Sequence, residues 1–241
     1  GCKVAHIEAG ERTDDWWKPF PEEVVRVIVD RWSDLSFAMS HTAYQHLLEE
    51  RVVGKVVNVR RNSLCDAVRW ALRQRVDLDL PPRYALVSIH RLETILSRER
   101  MEIVVTTLEK VVKKLEVVFS LHEPTKERLS KYGLLKRLEA IPQVHLRPLF
   151  DYFSFIHAMR DAEFLITDGG GPQEESYYLG VPCLLMRTET ERAFHPNVFV
   201  SNFVEERVEQ FLATYQALRR AEEIEEFSPS ALIVDEIEMW A

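Results

Sequence analysis

The run Ile166-Thr167-Asp168-Gly169-Gly170-Gly171-Pro172-Gln173-Glu174-Glu175-Ser176 constrains the chain more than any other stretch. Phe164-Leu165-Ile166 is a short apolar run that reads as a buried strand. Three glycines then allow a tight turn and close approach of the backbone to a ligand. Pro172 suits the first position of a helix, where its missing N–H costs nothing. A strand, a glycine turn and a helix N-terminus in series present free N–H groups and the positive dipole end to an anion. Glu174 and Glu175 fall in the expected first turn, where a carboxylate could accept ribose hydroxyls. The glycines alone leave two readings open, a phosphate site and a flexible turn with two ordinary dipole partners.

The next residues narrow the choice. Leu179-Gly180-Val181-Pro182-Cys183-Leu184-Leu185-Met186-Arg187 ends the helix at a glycine and starts another apolar strand, and Thr188-Glu189-Thr190-Glu191-Arg192 follows. The whole run resembles the non-hydrolysing UDP-N-acetylglucosamine 2-epimerases, whose C-terminal domain carries D-S-G-G-x-Q-E-E, L-G-x-P and M-R-x-x-T-E-R. Asp168, Gly170, Gly171, Gln173, Glu174, Glu175, Gly180, Pro182, Met186, Arg187, Thr190, Glu191 and Arg192 match in order. Gly169 stands where the family has a phosphate-binding serine, which removes one hydroxyl donor and leaves the backbone donors.

The chain has 241 residues, 46% of them hydrophobic and 29% charged, which is enough for a sizeable core and one or two domains. A net charge of −8 argues against a nucleic-acid groove but not against a local basic pocket for a nucleotide. No apolar stretch approaches a membrane span, so neither a membrane nor a nucleic acid is an expected partner. Cys2, Cys65 and Cys183 show no paired spacing and read as reduced and structural, which places the chain in the cytoplasm. The chain opens on Gly1 and enters a strand at Lys3-Val4-Ala5-His6-Ile7, so it reads as starting inside a domain.

Taken in order, a short strand at Val4 to Ile7 exits through Glu8-Ala9-Gly10 into a polar loop and the stiff Trp16-Trp17-Lys18-Pro19-Phe20-Pro21. A helix then starts at Pro21, with apolar residues at helical spacing through Trp32 and Leu35. Strands follow at Leu35 to Met39 and Lys55 to Val59, separated by a helix that Ser40 or Thr42 can cap. Val76-Asp77-Leu78-Asp79-Leu80-Pro81-Pro82-Arg83 breaks the pattern and marks a domain boundary. Beyond it come a strand at Tyr84 to Ile89, a helix from Arg98 to Lys114, a strand at Val117 to Leu121 and a polar helix from Thr125 to Leu138. Val144-His145-Leu146 is strand-like, Tyr152 to Arg160 is helical, and the glycine run supplies the next strand and helix. Phe203 to Arg220 is expected as a last helix, followed by an acidic tail that is frayed or partly ordered on another surface.

Repeated strand–helix alternation implies parallel sheets with helices on both faces. The expected fold is α/β with two Rossmann-like domains, glycosyltransferase-B-like, the first incomplete. Residues 1–75 would be the remainder of the N-terminal domain, 76–202 the C-terminal nucleotide-binding domain, and 203–241 a C-terminal helix and tail. Ligands in such sheets sit at the carboxyl ends of strands, where Glu8, His90, His122 and Gly169 to Gly171 all fall.

Other runs extend the resemblance. His90-Arg91-Leu92-Glu93-Thr94 is similar to T-x-H-R-x-E-N, with Thr94 in place of asparagine. His6-Ile7-Glu8-Ala9-Gly10, followed by Arg12-Thr13, resembles H-x-E-A-G with x-R-T. Pro19-Phe20-Pro21-Glu22-Glu23-Val24-Val25-Arg26 resembles P-x-P-E-E-x-N-R, with Val25 replacing asparagine. Asn62 to Val68 resembles G-N-x-x-x-D-A-x with Arg61 in place of glycine, and Leu121-His122-Glu123-Pro124 faintly resembles H-x-N-P. Pro148 to Phe155 resembles P-L-x-Y-x-x-F, where Phe155 either stacks on uracil or fills the core.

The resemblance implies Glu8, Glu22 and His90 as catalytic residues. It implies Arg91, Phe155, Gly169, Gly170, Gly171, Glu175 and Arg192 as contacts to UDP. It implies inversion of C2 of UDP-N-acetylglucosamine through elimination and re-addition of UDP, with no cofactor and no metal. The expected partners are the UDP-sugar and a second copy of the chain in a homodimer. A hydrolysing relative and a sugar-nucleotide-binding module that lost catalysis are the rival readings. Gly169, Val25 and Thr94 lean toward the second rival.

Overall fold

The computed structural model describes residues 2–13, 21–188, 195–224 and 226–240, with the side chain of Glu22 left aside. The chain forms two compact units, one of residues 2–13, 21–67 and 226–240 and the other of 68–188 and 195–224.

The first unit is built on a parallel sheet of β1 (Ala5–Ile7), β2 (Leu35–Ala38) and β3 (Lys55–Asn58), in the order β1-β2-β3. The helix α1 (Glu22–Trp32) leads into β2, and α2 (His41–Glu49) leads into β3. All four residues of β2 are buried, as expected of a middle strand covered on both faces. Ser40 caps α2 by accepting the N–H of Ala43 at 3.1 Å. Gly10 has φ +82°, and a Cβ there would lie 2.2 Å from the carbonyl oxygen of Ala43, so no other residue fits this turn. A further helix, α3 (Leu64–Leu72), follows β3, and the division between the units falls within it.

The second unit carries a six-stranded parallel sheet. Along the chain it comprises β4 (Tyr84–Ser88), α4 (Leu92–Ile95), α5 (Arg98–Val111), β5 (Glu116–Leu121), α6 (Glu123–Lys131), α7 (Leu135–Glu139) and β6 (Val144–Pro148). Then follow α8 (Tyr152–Asp161), β7 (Phe164–Thr167), α9 (Gly170–Tyr178), β8 (Cys183–Leu185), β9 (Val198–Val200) and α10 (Glu205–Thr214). The strand order is β6-β5-β4-β7-β8-β9, the doubly wound arrangement in which the winding reverses between β4 and β7. Every residue of β4 and β7 is buried. Val87, Phe119, Phe164 and Leu184 from four strands share one core with Val104, Leu108 and Phe211 from α5 and α10. Burial of each such side chain stabilises the fold by about 1.5–3 kcal/mol.

Two expectations shift, and of the two readings open for the tail the ordered one holds. The helix expected from Thr125 to Leu138 is two, α6 and α7, because Gly133 at φ +75° turns the chain between them. The helix expected from Phe203 to Arg220 spans only Glu205–Thr214 and continues as a 3-10 turn over Tyr215–Leu218. The acidic tail forms α11 (Pro229–Trp240). Its Ile233 is buried against Leu35, Phe37, Met39, Val57 and Val59 of the first unit, with Leu232, Ile237 and Trp240 packed alongside. Asp66 holds the start of this helix by accepting the Ser228 hydroxyl at 3.0 Å and the Ser230 N–H at 2.8 Å. Cys65 and Cys183 are buried free thiols and Cys2 is exposed. Among the described residues no helix is long and apolar enough to cross a membrane.

Candidate functional site

In the second unit β5, β4 and β7 are neighbours, so their carboxyl ends deliver three turns side by side. The turns carry His122, then His90-Arg91, then Asp168 to Gly171. The last two flank the point where the winding reverses, where ligands of such sheets bind.

Asp168 fixes this geometry. Its side chain is fully buried, and its two oxygens accept the backbone N–H groups of His90 and Arg91, each at 3.0 Å. The aspartate therefore faces inward and clamps the neighbouring turn, a role its place in the motif did not disclose. His90 Nδ1 lies 3.5 Å from Asp168 Oδ1, and the side chain is about one-third exposed. Gly169 caps α9 in extended conformation, and a Cβ there would lie 2.7 Å from His90 Cε1. Gly171 has nothing within 4 Å of a built Cβ.

The helix begins at Gly170, so Pro172 is its third residue rather than its first. Its missing N–H is still harmless there, because the donors of a first turn have no intrahelical partner. Glu174 and Glu175 consequently lie beyond the first turn, which has no acidic residue, and both are buried. Tyr178 donates its hydroxyl to Glu174 Oε1 at 3.0 Å. Burial pushes the Glu175 carboxyl up to about 7, with the charge of Glu174 adding to the rise and the Tyr152 hydroxyl opposing it. Arg91 Nε pairs with Glu93 Oε1 at 3.0 Å, and the buried Arg187 approaches the same oxygen at 3.9 Å. Phe155 is half-buried on α8. Arg192 lies outside the described residues.

His122 was placed at a strand end by sequence reasoning but given no role. Its ring stacks on that of His90, with centroids 4.8 Å apart and planes inclined by 22°. Burial lowers its pKa, and the neighbouring His90 lowers it further.

The first unit holds a separate constellation. Glu8 leaves β1 with φ +64°, a conformation that costs a non-glycine residue energy and is concentrated at functional sites. Asn62 Nδ2 donates to Glu8 Oε1. Behind it, fully buried Asp30 accepts from Gly10 N–H at 3.1 Å, contacts His6 Nδ1 at 2.6 Å and pairs with Arg12 at 2.7 Å. Burial alone would raise the Asp30 carboxyl, but the bonds from His6 and Arg12 outweigh it and hold the group below its usual range. Arg12 also forks onto Glu50 at 2.7 and 2.8 Å. Glu23 is buried and accepts the Thr13 N–H at 3.1 Å, with Arg26 at 3.4 Å. Of the adjacent pair in the P-E-E run, Glu23 is thus a structural anchor, and the side chain of Glu22 lies outside the description. Helical spacing could have flagged Asp30, which follows Val27 on the face that α1 buries.

Residues 1–232 match the family model described as UDP-N-acetylglucosamine 2-epimerase. The UDP-N-acetylglucosamine 2-epimerase of Methanococcus maripaludis is 32% identical over 204 residues, covering 80% of this chain and 55% of that protein. A probable UDP-N-acetylglucosamine 2-epimerase of Ralstonia solanacearum is 35% identical over 205 residues, covering 78% and 54%. The chain therefore spans about half the length of the curated relatives it matches. The crystal structure of the Methanocaldococcus jannaschii UDP-GlcNAc 2-epimerase in complex with UDP-GlcNAc and UDP superposes with a TM-score of 0.84 at 27% identity, covering 99% of this chain and 69% of that one.

Proposed function

The chain belongs to the UDP-N-acetylglucosamine 2-epimerase family, and we propose that its second unit holds the UDP portion of a UDP-sugar in a protein that interconverts UDP-N-acetylglucosamine and UDP-N-acetylmannosamine. A base takes the C2 proton, the C1–O bond breaks, and its electron pair leaves with UDP. The sugar becomes a C1=C2 glycal. Protonation of C2 from the opposite face and return of UDP to C1 complete the inversion. Glu8 and Glu22 are assigned the proton transfers. Negative charge grows on the departing diphosphate, so donors fixed in advance around it stabilise the transition state most. His90, Arg91 and the N–H groups at Gly169, Gly170 and Gly171 are assigned that task, Glu175 the ribose, and Phe155 and Arg192 the remaining UDP contacts. A homodimer belongs to the same reading, and sedimentation equilibrium tests it.

The observation that carries the reading is the pair of hydrogen bonds that Asp168 accepts from the His90 and Arg91 N–H groups, which holds that turn beside the α9 N-terminus at the reversal point of the sheet. Gly169, in the place of the family serine, keeps a second reading alive, a binding module without turnover. Incubation with UDP-N-acetylglucosamine separates them. UDP-N-acetylmannosamine as product means epimerase, and free UDP with free sugar means the hydrolysing reaction. Saturable UDP binding with neither product means a binding module, and no binding at all removes the site.

A further inference from the structure

We propose that His122 is a positioning residue for His90, its ring forming the surface against which the His90 ring is held at the α9 N-terminus. Four contacts converge on this arrangement. The two rings stack at 4.8 Å and 22°. Thr125, near the start of α6, donates its hydroxyl to the Ile89 carbonyl at 2.6 Å, which fastens the turn bearing His122 to the turn bearing His90. Ser88, in the strand before His90, places its hydroxyl oxygen 3.4 Å from His122 Nε2. Gly169 lies close to the ring as well, since a Cβ there would meet His90 Cε1 at 2.7 Å. The His90 ring thus has a flat neighbour in His122 and a close one in Gly169.

Stacking also bears on the charge of His122. Two imidazolium rings at this distance repel, and a half-buried ring gives up its proton more readily than an exposed one. The charged groups on the adjoining turns are Asp168 from the β7–α9 turn, Arg91 with Glu93 on the turn of His90, and Glu123 with Lys126 after His122. Asp168 lies 3.5 Å from His90 Nδ1, and its charge opposes the lowering of the His122 pKa by burial and by His90 without overcoming it. His122 stays neutral, which keeps the ring from competing for the anion.

The inference concerns the UDP site proposed above, and one arm of its test needs no ligand. The titration of His122 is followed by its Cε1–H resonance in the 241-residue chain and in His90→Gln. Its midpoint should rise in the variant, because the neighbouring charge is gone. An unmoved midpoint overturns the coupling. UDP affinity is then measured for His122→Ala and His122→Phe. The alanine should weaken binding roughly three- to tenfold, the scale of re-ordering one side chain, and the phenylalanine should restore most of it by keeping a flat ring. Equal wild-type affinity in both variants overturns the proposal. Equal loss in both, with native amide spectra, also overturns it by making His122 a direct ligand contact. If the unaltered chain binds no UDP, the functional reading fails, and the titration still decides whether the rings are coupled.

Discussion

The backbone N–H of His90 donates to Asp168 Oδ1 at 3.0 Å, across a sequence separation of 78 residues. That bond ties the end of β4 to the end of β7 and sets where the imidazole stands. Asp168→Asn keeps the shape but presents an NH2 group to one of two N–H donors. The loss should be about 1–3 kcal/mol, the usual cost of a buried polar group left unsatisfied. Chemical denaturation measures it. UDP binding should weaken in parallel, and an unchanged stability would show that the clamp is not holding the turn.

Gly169 and Gly171 should respond differently to alanine. At Gly169 the new Cβ meets His90 Cε1 at 2.7 Å, so the ring must shift and its resonances should move even without ligand. At Gly171 nothing lies within 4 Å, and alanine is the better helix former by roughly 0.5–1 kcal/mol. Gly171→Ala should therefore match or exceed the wild-type melting temperature while binding UDP more weakly. Wild-type affinity in Gly171→Ala would mean that its open side is not where the diphosphate lies.

The Glu175 carboxyl gives a pH signature. Its folded pKa of about 7 stands above the ordinary carboxyl value of 4.5, so the folded chain binds more protons between those values. The stability this provides is complete below the lower value and is lost as pH rises through the upper one, by roughly 1.4 kcal/mol per unit within the window. Denaturation midpoints should fall between pH 5 and 7 in the wild type, on the order of this window. Glu175→Gln should flatten that fall and reduce UDP affinity. An identical pH profile in the variant would contradict the burial assigned to this carboxyl.

Much of this architecture can be read from residues alone, and the exceptions have a common cause. Apolar runs such as Tyr84 to Ser88 and Phe164 to Thr167 announce covered parallel strands, and their alternation with helices implies the doubly wound sheet. Motif order points to His90 and the glycine turn. The Asp168 clamp and the His122 stack join residues 78 and 32 positions apart, and no local pattern encodes which way such side chains turn. The start of α9 was misplaced because proline is harmless throughout a first turn, not only at its first residue. The acidic tail hid a helix whose Ile233, Ile237 and Trp240 recur at helical spacing, a signal that charge outweighed.

The edge strand β1 predicts behaviour in solution. Among the described residues it pairs only with β2, and Val4 and Ile7 are 43% and 47% exposed. Such an edge is a template for pairing with another chain. Sedimentation velocity should reveal concentration-dependent association that Ile7→Lys reduces. Association untouched by Ile7→Lys would place the contact elsewhere.

The central claim is that UDP sits where β4 and β7 part, between His90 and the α9 N-terminus. Titrating UDP into the isotope-labelled chain while following the His90 ring and the Gly169, Gly170 and Gly171 amides tests it most directly. These signals should shift together and saturate with one dissociation constant, and that constant should increase in Gly171→Ala. Saturable binding that leaves all four signals in place, or no saturable shift at all, would contradict it.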